Sequence, residues 1–319
     1  MRQGVFGRER IRRILFVFLA AFFCQIGLHE VYEEGKSERL HANTVQTAAF
    51  RRQYVTEEME SYIQKAEDPG RDLGIYWLET KFGYETFPWQ ISGETFQERE
   101  KRWKRNPSYK SYRTTCRAIW NAVEYFPIPE SEKPGRKFVS FADSWMEERN
   151  YGGKRGHEGT DLMAGENVRG LYPIISITDG TVAKIGWLEK GGNRIGIWTE
   201  AGAYFYYAHL DSYANLKVGD QVKAGQLLGF MGDTGYGEAG TKGMFPVHLH
   251  LGIYIYPDGT EMSINVCNFE VCRAEKTEDI DINIRLPVHQ KCIFLRGNGI
   301  LFSEVWGGVI KWNMIQYIG

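Results

Sequence analysis

The chain has 319 residues, of which 43% are hydrophobic and 14% aromatic, and its formal net charge is −1. This length accommodates one large domain or two modest domains, each with its own hydrophobic core. The balanced charge gives no indication of nucleic-acid binding, and the aromatic content is atypical of a disordered chain.

The first thirty residues have the pattern of an export segment. An uncharged apolar run occupies residues 14–28 and is preceded by five arginines, which are Arg2, Arg8, Arg10, Arg12 and Arg13. A basic cluster on the N-terminal side predicts that the rest of the chain lies outside the cytoplasm. We expect residues 1–29 to form a signal-anchor that crosses the membrane once. Secretion after signal cleavage is the alternative, and a buried core helix is a further one.

Residues 30–126 are expected to form an α-helical region. Apolar residues recur at helical spacing between 48 and 63, and Asp68-Pro69-Gly70 is expected to end that run. Further helices are expected over 95–103 and from about Pro107 to Val123. We expect the aromatic residues here to form a core, and the basic stretch 99–105 to be a solvated helix face.

A change of pattern follows the proline-rich, polar segment 127–137, which we interpret as a linker between domains. Residues 138–265 consist of short β-branched and aromatic runs separated by glycine turns, so we expect a mainly β domain built as an antiparallel sheet or sandwich. Residues 266–319 form a C-terminal extension with strand-like runs and no clear organisation. Cys267, Cys272 and Cys292 are candidates for one disulfide outside the cytoplasm.

The most informative motif is His248-Leu-His250, which falls in a strand-like run. Side chains alternate along a strand, so both imidazoles would project from the same face. His157 and Asp161 are four residues apart in a glycine-flanked segment and would also share a face if that segment is extended. A histidine and an aspartate arriving from elsewhere would complete a zinc site with three protein ligands and an open position for water.

Several segments together resemble the lysostaphin/LytM-type zinc endopeptidases, in the same order and with similar spacing. They are Gly156-His157-Glu-Gly-Thr-Asp161, Tyr207-Ala-His209-Leu210, Val218-Gly-Asp-Gln-Val222, Gly232-Asp-Thr-Gly235 and His248-Leu-His250-Leu. The resemblance implies an antiparallel β fold with an open cleft and cleavage of peptide bonds in bacterial cell-wall peptidoglycan. It also implies that His157, Asp161 and His250 bind Zn²⁺ and that His209 and His248 are the catalytic pair, with the general-base role open between them.

On this basis we expect a membrane-anchored zinc metalloendopeptidase that acts on the cell-wall side. Two alternatives have the same fold. One is a catalytically idle scaffold that regulates other cell-wall or sporulation proteins, and the other is a zinc peptidase with protein substrates. The helical region is expected to be a spacer, a lid or a docking module for a protein partner. Glu158 is expected either at the surface or beside the metal ligands without binding the metal, and Asn193 either near the cleft or in a turn.

Overall fold

A computed structural model describes residues 3–83, 93–129 and 137–266, and three C-terminal strands over 293–296, 299–306 and 309–316. The described helices are α1 (Gln3–Ser37), α2 (Ala48–Arg51), α3 (Glu57–Ile63), α4 (Pro69–Glu79), α5 (Phe96–Trp103) and α6 (Tyr109–Trp120). The described strands are β1 (Glu148–Arg149), β2 (Arg155–Gly156), β3 (Thr160–Met163), β4 (Pro173–Ile175), β5 (Gly180–Leu188), β6 (Gly192–Trp198), β7 (Tyr204–Tyr213), β8 (Gln221–Val222), β9 (Leu227–Met231), β10 (His248–Ile255), β11 (Met262–Ile264), β12 (Ile293–Arg296), β13 (Gly299–Trp306) and β14 (Val309–Gln316).

The long helix α1 contains the apolar N-terminal run. Its window Ile11–Leu28 spans 18 residues with a mean hydropathy of 1.9, and none of the window is buried against the rest of the protein. Among the described residues, it is the one helix long and apolar enough to cross a membrane, and a signal sequence has the same properties.

Polar residues at the helix starts explain where the short helices begin. Thr95 caps α5, and its capping box with Glu98 satisfies backbone groups at both positions. Asp68 accepts a hydrogen bond from the Arg71 backbone, and Pro69 occupies the first turn of α4. The expectation that Asp68-Pro69-Gly70 ends the preceding helical run was wrong, because α3 already ends at Ile63 and this triplet begins α4.

Aromatic side chains form the core of the helical region, as predicted. Phe50 from α2 packs edge-on against Trp77 of α4 and Tyr112 of α6, with ring centroids 5.7 and 5.6 Å apart. Trp120 packs against Trp77 and donates a hydrogen bond to Gln53 Oε1 at 2.8 Å. All five residues are buried, so three helices and the loop after α2 share one apolar centre.

One basic residue of the stretch 99–105 does not lie on a solvated face. The Arg99 side chain is only 2% exposed, and its Nη1 atom lies 3.6 Å from Oε2 of the equally buried Glu79. A buried cation needs an opposite charge close by, and α4 supplies one. The solvated-face prediction was wrong for Arg99, whereas Lys101, Lys104 and Arg105 are exposed.

Within the described chain, β3 to β11 form one nine-stranded antiparallel sheet, as expected for the 138–265 region. Its central order is β11-β10-β7-β6-β5-β8. The strand β7 pairs with β10 and β6, and its second half also pairs with β9. The edge of β10 that does not face β7 pairs first with β3, along residues 248–251, and then with β11, along residues 253–255. The strands β12, β13 and β14 form a separate antiparallel sheet.

Side-chain alternation gives the central strands two different faces. Phe205 and Tyr207 of β7 are fully buried in the hydrophobic core, together with Ile195 and Ile197 of β6. The intervening residues of β7 point to the opposite face, where the sheet forms the floor of a cleft. One face of the sheet therefore supplies stability, and the other is available for chemistry.

The helical region packs against the sheet domain through Arg51. The Nε atom of Arg51 donates to Ser263 O at 2.7 Å, and its Nη2 atom donates to Ser263 Oγ at 3.2 Å. The Arg51 carbonyl accepts a hydrogen bond from the Asn265 backbone at 2.7 Å, and the guanidinium lies over the Trp145 ring. Further along, the Glu124 backbone donates to Ile177 O at 2.9 Å. The cysteines Cys267, Cys272 and Cys292 lie outside the described residues.

Replacing Arg51 with alanine should loosen this contact. The variant loses two side-chain hydrogen bonds and a cation–π contact, so we expect a loss of about 2–4 kcal/mol in the free energy of unfolding. Urea unfolding followed by tryptophan fluorescence measures it. The neighbouring Arg52→Ala variant is the control, because Arg52 is exposed. Equal stability of the two variants would contradict the role given to Arg51.

Candidate metal centre and active site

A cleft of about 680 Å³ lies on the outer face of the sheet. His248 and His250 reach it from β10, and Tyr204 and Tyr206 reach it from β7. The alternation of side chains in these strands places all four on one face. A larger cavity of about 1,070 Å³ lies between α6 and the sheet, but no histidine lines it, so cavity volume alone does not locate the candidate site.

Three donor atoms converge on the wall of this cleft. His157 Nε2 lies 2.9 Å from His250 Nδ1, and each of these nitrogens lies 3.0 Å from Asp161 Oδ1. Donors arranged tetrahedrally at about 2.0–2.1 Å from Zn²⁺ are separated by roughly 3.3 Å. The observed triangle is close to that size, and two imidazole nitrogens with one carboxylate oxygen form a donor set typical of zinc.

Strand pairing produces this convergence. Asp161 on β3 lies directly opposite His250 on β10, and His157 follows β2 immediately before β3. Gly159 allows the approach of the two segments. A methyl group at that position would lie 2.8 Å from His250 Nε2 and would also clash with the Leu251 carbonyl. The glycine between the two ligands is thus a packing requirement of the site.

Groups outside the triangle orient the ligands. His157 Nδ1 lies 3.1 Å from Ser144 O, 3.0 Å from Ser144 Oγ and 3.0 Å from Arg149 Nη2. Groups outside the triangle thus hold this side of the ring, while Nε2 faces Asp161 and His250. Arg149 on β1 donates from Nη2 to Asp161 Oδ2 at 3.0 Å, which leaves Oδ1 directed at the two histidines. Such outer hydrogen bonds accompany metal ligands in known sites and fix their orientation.

The electrostatics favour an ionised carboxylate. Burial alone would raise the pKa of Asp161, but the adjacent imidazole nitrogens of His157 and His250 hold this pKa well below its usual range. Burial lowers the pKa of His250, so this ring is neutral near pH 7. A negative carboxylate and a neutral imidazole are the forms that bind a metal ion.

His209 and His248 form a second pair beside the triangle. Their ring centroids are 4.7 Å apart. His209 Nδ1 lies 2.7 Å from Thr234 O, and His248 Nδ1 lies 2.7 Å from Pro246 O. Both carbonyls accept the Nδ1 proton, which leaves each Nε2 with a lone pair. The pair is therefore built to accept protons.

Burial also sets the charge of this pair. It lowers the pKa of His209 well below 6.5, and the nearby rings of His248 and His250 add to the effect. Burial lowers the pKa of His248 as well, although the Asp161 carboxylate opposes it. Both rings are neutral near pH 7 and can act as general bases.

An irregularity in β7 directs His209 into the cleft. The register between β6 and β7 shifts between Asn193 and Ile195, and His209 has a φ of 63°, in the left-handed region. The strain is held by a hydrogen bond from the His209 backbone to Gly191 O at 2.8 Å and by the bond to Thr234.

Two residues considered from the sequence take minor positions. Glu158 is exposed and lies at the rim of the cleft. Asn193 does not line the cleft, and its side chain donates to Asp211 O at 3.3 Å beside the irregularity in β7.

Sequence reasoning missed several residues that shape the cleft. Arg149 reaches the site only because the hairpin of β1 and β2 folds beside β3, which no local pattern reveals. Tyr151 of that hairpin stacks on Tyr236, with centroids 4.1 Å apart and rings nearly parallel, and Tyr236 lines the cleft next to His209. The position of Gly159 between two candidate ligands was the one signal visible in the sequence.

Comparison with known proteins relates both regions of the chain to described families. Residues 35–122 match the family model of the LytM N-terminal domain, and residues 155–264 match that of peptidase family M23. The L-Ala–D-Glu endopeptidase of Bacillus subtilis is 40% identical over 141 residues, which are 44% of this chain and 40% of that protein. Lysostaphin of Staphylococcus simulans is 45% identical over 69 residues, which are 21% of this chain and 14% of that protein. The chain thus spans less than half the length of these two relatives.

A crystal structure from Ruminococcus gnavus, of a protein assigned as a glycyl-glycine endopeptidase LytM, is 55% identical to this chain. The match covers 75% of this chain and 94% of that protein, with a TM-score of 0.69. It extends beyond the sheet domain, whose match to the peptidase model covers 155–264. The Ruminococcus gnavus protein is matched over nearly its whole length, and residues 155–264, which form most of the cleft, match the M23 peptidase model. The chain therefore belongs to peptidase family M23.

Proposed function

We propose that this protein is a zinc-dependent endopeptidase that hydrolyses peptide bonds in bacterial cell-wall peptidoglycan. The observation that carries the proposal is the approach of His157 Nε2, Asp161 Oδ1 and His250 Nδ1 to within 3.0 Å of one another in an open cleft. Beside them lie two neutral imidazoles whose Nε2 atoms are not used by the backbone contacts. Metal ligands with adjacent bases are the requirements for hydrolysis of an amide.

In this proposal His157, Asp161 and His250 hold Zn²⁺. The ion, when bound, would polarise the scissile carbonyl and acidify a water molecule. Arg149 and Ser144 hold the ligands in the required orientation. Gly159 leaves room for the His250 ring.

His209 and His248 are the proposed catalytic pair. One ring accepts the proton of the attacking water at Nε2, and the backbone carbonyl behind it stabilises the resulting imidazolium through Nδ1–H. The protonated ring then donates this proton to the leaving amine, and the other ring, whose Nε2 also has a lone pair, can accept a hydrogen bond that orients the attacking water. The two rings have equivalent backbone contacts, so either can begin as the base.

Relatives named as L-Ala–D-Glu endopeptidase and glycyl-glycine endopeptidase support a cell-wall peptide as substrate. The exposed apolar helix α1, with arginines on its N-terminal side, supports anchoring in the membrane with the cleft on the cell-wall side. Among the described residues of 35–126, none lines the cleft. We therefore propose that the described part of the helical region acts as a spacer or docking module.

The two sets of histidines should respond differently to mutation. His250→Ala should weaken zinc binding by about 100-fold or more and abolish hydrolysis, because it removes a ligand. His209→Ala should keep one zinc per chain while kcat falls by about 10²–10⁴-fold, because it removes a proton acceptor. Metal analysis after dialysis and peptide hydrolysis measure both properties.

His41→Ala is the matched control, since His41 is exposed and lies in the helical region. This variant should behave like the wild type in both assays. Retention of zinc and activity by His250→Ala, or loss of zinc from His209→Ala, would show that the roles are assigned wrongly.

The nature of the substrate is tested with purified sacculi. The zinc-loaded full chain, held in detergent, should release new amino groups from sacculi, and mass spectrometry of the fragments identifies the bond. A chelator should stop the release, and added zinc should restore it. A protein that releases nothing under these conditions is a scaffold, and one that cleaves unfolded proteins but not sacculi is a peptidase with protein substrates.

Gly159→Ala tests the packing of the ligands. The added methyl group meets the Leu251 backbone and the His250 ring, so we expect zinc affinity to fall by roughly 10–100-fold. Competition with a chromogenic chelator measures the affinity. Gly35→Ala is the control, because a methyl group there meets nothing within 4 Å. Unchanged affinity in Gly159→Ala would mean that the two segments can separate without disturbing the triangle.

A further inference from the structure

A row of residues crosses the cleft floor from the metal ligands to the far side. His250 on β10 lies opposite Ala208 on β7. On the other side of β7 lies β6, where Arg194 occupies the register shift between Asn193, which pairs with Leu210, and Ile195, which pairs with Tyr207. Arg194 in turn lies opposite Gly186 on β5. Neighbouring strands are about 4.8 Å apart, so the Arg194 backbone lies roughly 10 Å from that of His250.

The cleft contains more positive than negative charge available to a ligand. Four basic residues line it without an ion pair in the part of the chain that the structure describes, and they are Arg155, Lys184, Lys190 and Arg194. The carboxylates on the cleft wall are Asp161, which belongs to the ligand triangle, and Glu158 and Glu261. Glu261 accepts a hydrogen bond from Tyr256.

Three basic residues elsewhere in the sheet domain are paired with a carboxylate. Arg169 lies 2.5 Å from Asp233, and Lys223 lies 2.6 Å from Asp179. Lys242 is paired in the same way with Asp211. The four cleft cations differ from these three residues, because none of them has a carboxylate partner among the described residues.

Two of the four, Arg155 and Arg194, each have a buried side-chain nitrogen without a hydrogen-bond partner among the described residues, and Arg194 is the one that lies on the central sheet, in β6. Its Nη1 atom is buried and has no hydrogen-bond partner among the described residues. A buried guanidinium N–H without an acceptor is costly, and an oxygen atom of a bound ligand would remove that cost. The positive charge also lies near the Tyr206 hydroxyl, where it opposes the increase in the pKa of Tyr206 that burial causes.

Lys184 extends the positive surface next to Arg194. It lies on β5 opposite Gly196, and Gly196 lies opposite Tyr206. Lys184 is thus two residues from Gly186, the partner of Arg194, on the same face of the sheet. A guanidinium binds a carboxylate through two parallel hydrogen bonds, and an adjacent ammonium adds a point charge.

We propose that Arg194 and Lys184 form a carboxylate-binding subsite, which selects peptides with a free carboxylate close to the scissile bond. This inference rests on the proposed peptidase function. An extended peptide advances about 3.4 Å per residue, so a carboxylate within about three residues of the scissile bond reaches the subsite. A bridge composed only of glycine has no side-chain carboxylate and gains nothing from it.

The test compares two synthetic cell-wall peptides that differ in a single group near the scissile bond. One has a free carboxylate and the other has the isosteric primary amide. For the zinc-loaded full chain we expect kcat/KM to be about 10–100-fold higher for the carboxylate peptide, mainly through KM. Raising the ionic strength should increase KM for that peptide alone.

Variants locate the preference. Arg194→Gln should remove it by raising KM for the carboxylate peptide while leaving the amide peptide unaffected, and Arg194→Lys should retain part of it. Lys184→Gln should reduce it, and this residue is exposed enough for the variant to fold. Arg105→Gln, which removes an exposed charge from the helical region, should behave like the wild type.

The possible outcomes separate the two proposals. Equal cleavage of both peptides by the wild type, or an equal loss for both in Arg194→Gln, overturns the subsite and leaves the peptidase function intact. Failure of the zinc-loaded wild type to cleave either peptide or sacculi overturns the peptidase function itself. A preference that persists in both Arg194→Gln and Lys184→Gln also overturns the subsite, since another group must then bind the carboxylate.

Discussion

The arrangement of the cleft depends on the pairing of β3 with β10, which places Asp161 opposite His250. A shift of one residue in this register would turn either side chain to the other face of the sheet and separate the donors. Core packing maintains this register, because Leu162, Leu249 and Leu251 on the same two strands are buried in the hydrophobic core on the opposite face of the sheet. The burial of leucine side chains therefore fixes the position of the ligands, and the outer contacts of Arg149 and Ser144 adjust their orientation.

The catalytic pair depends on a different feature, the departure of β7 from regular geometry. A regular strand would point His209 and Tyr207 to the same face, and Tyr207 is fully buried in the core. The left-handed φ at His209, with the register shift opposite Asn193, instead brings this ring to within 4.7 Å of His248. The local strain is offset by hydrogen bonds to Gly191 and Thr234, whose positions belong to the surrounding sheet.

These two features differ in how far they follow from the sequence. The alternation of His248 and His250 and the β character of 138–265 follow from short-range patterns, as do the helices near 95–103 and 109–120. The burial of Arg99 could not be inferred from its neighbours, because Glu79, its partner, lies 20 residues earlier. Likewise, nothing near Arg149 or Arg194 in the sequence indicates a cleft position, since pairing between distant strands decides it.

Charge gives a unifying account of the cleft. Arg149 is the one cleft cation of the described chain that is paired with Asp161, and its bond to Oδ2 serves the ligand triangle. The remaining cations line the same cleft without a carboxylate partner among the described residues, and their positive potential favours anionic ligands. The neutral state of His209 and His248 has a different cause, since burial lowers the pKa of both rings. In the proposed subsite, a substrate that brings its own negative charge would supply the acceptor that Arg194 Nη1 lacks, while the neutral His209 and His248 keep their Nε2 lone pairs for the reaction.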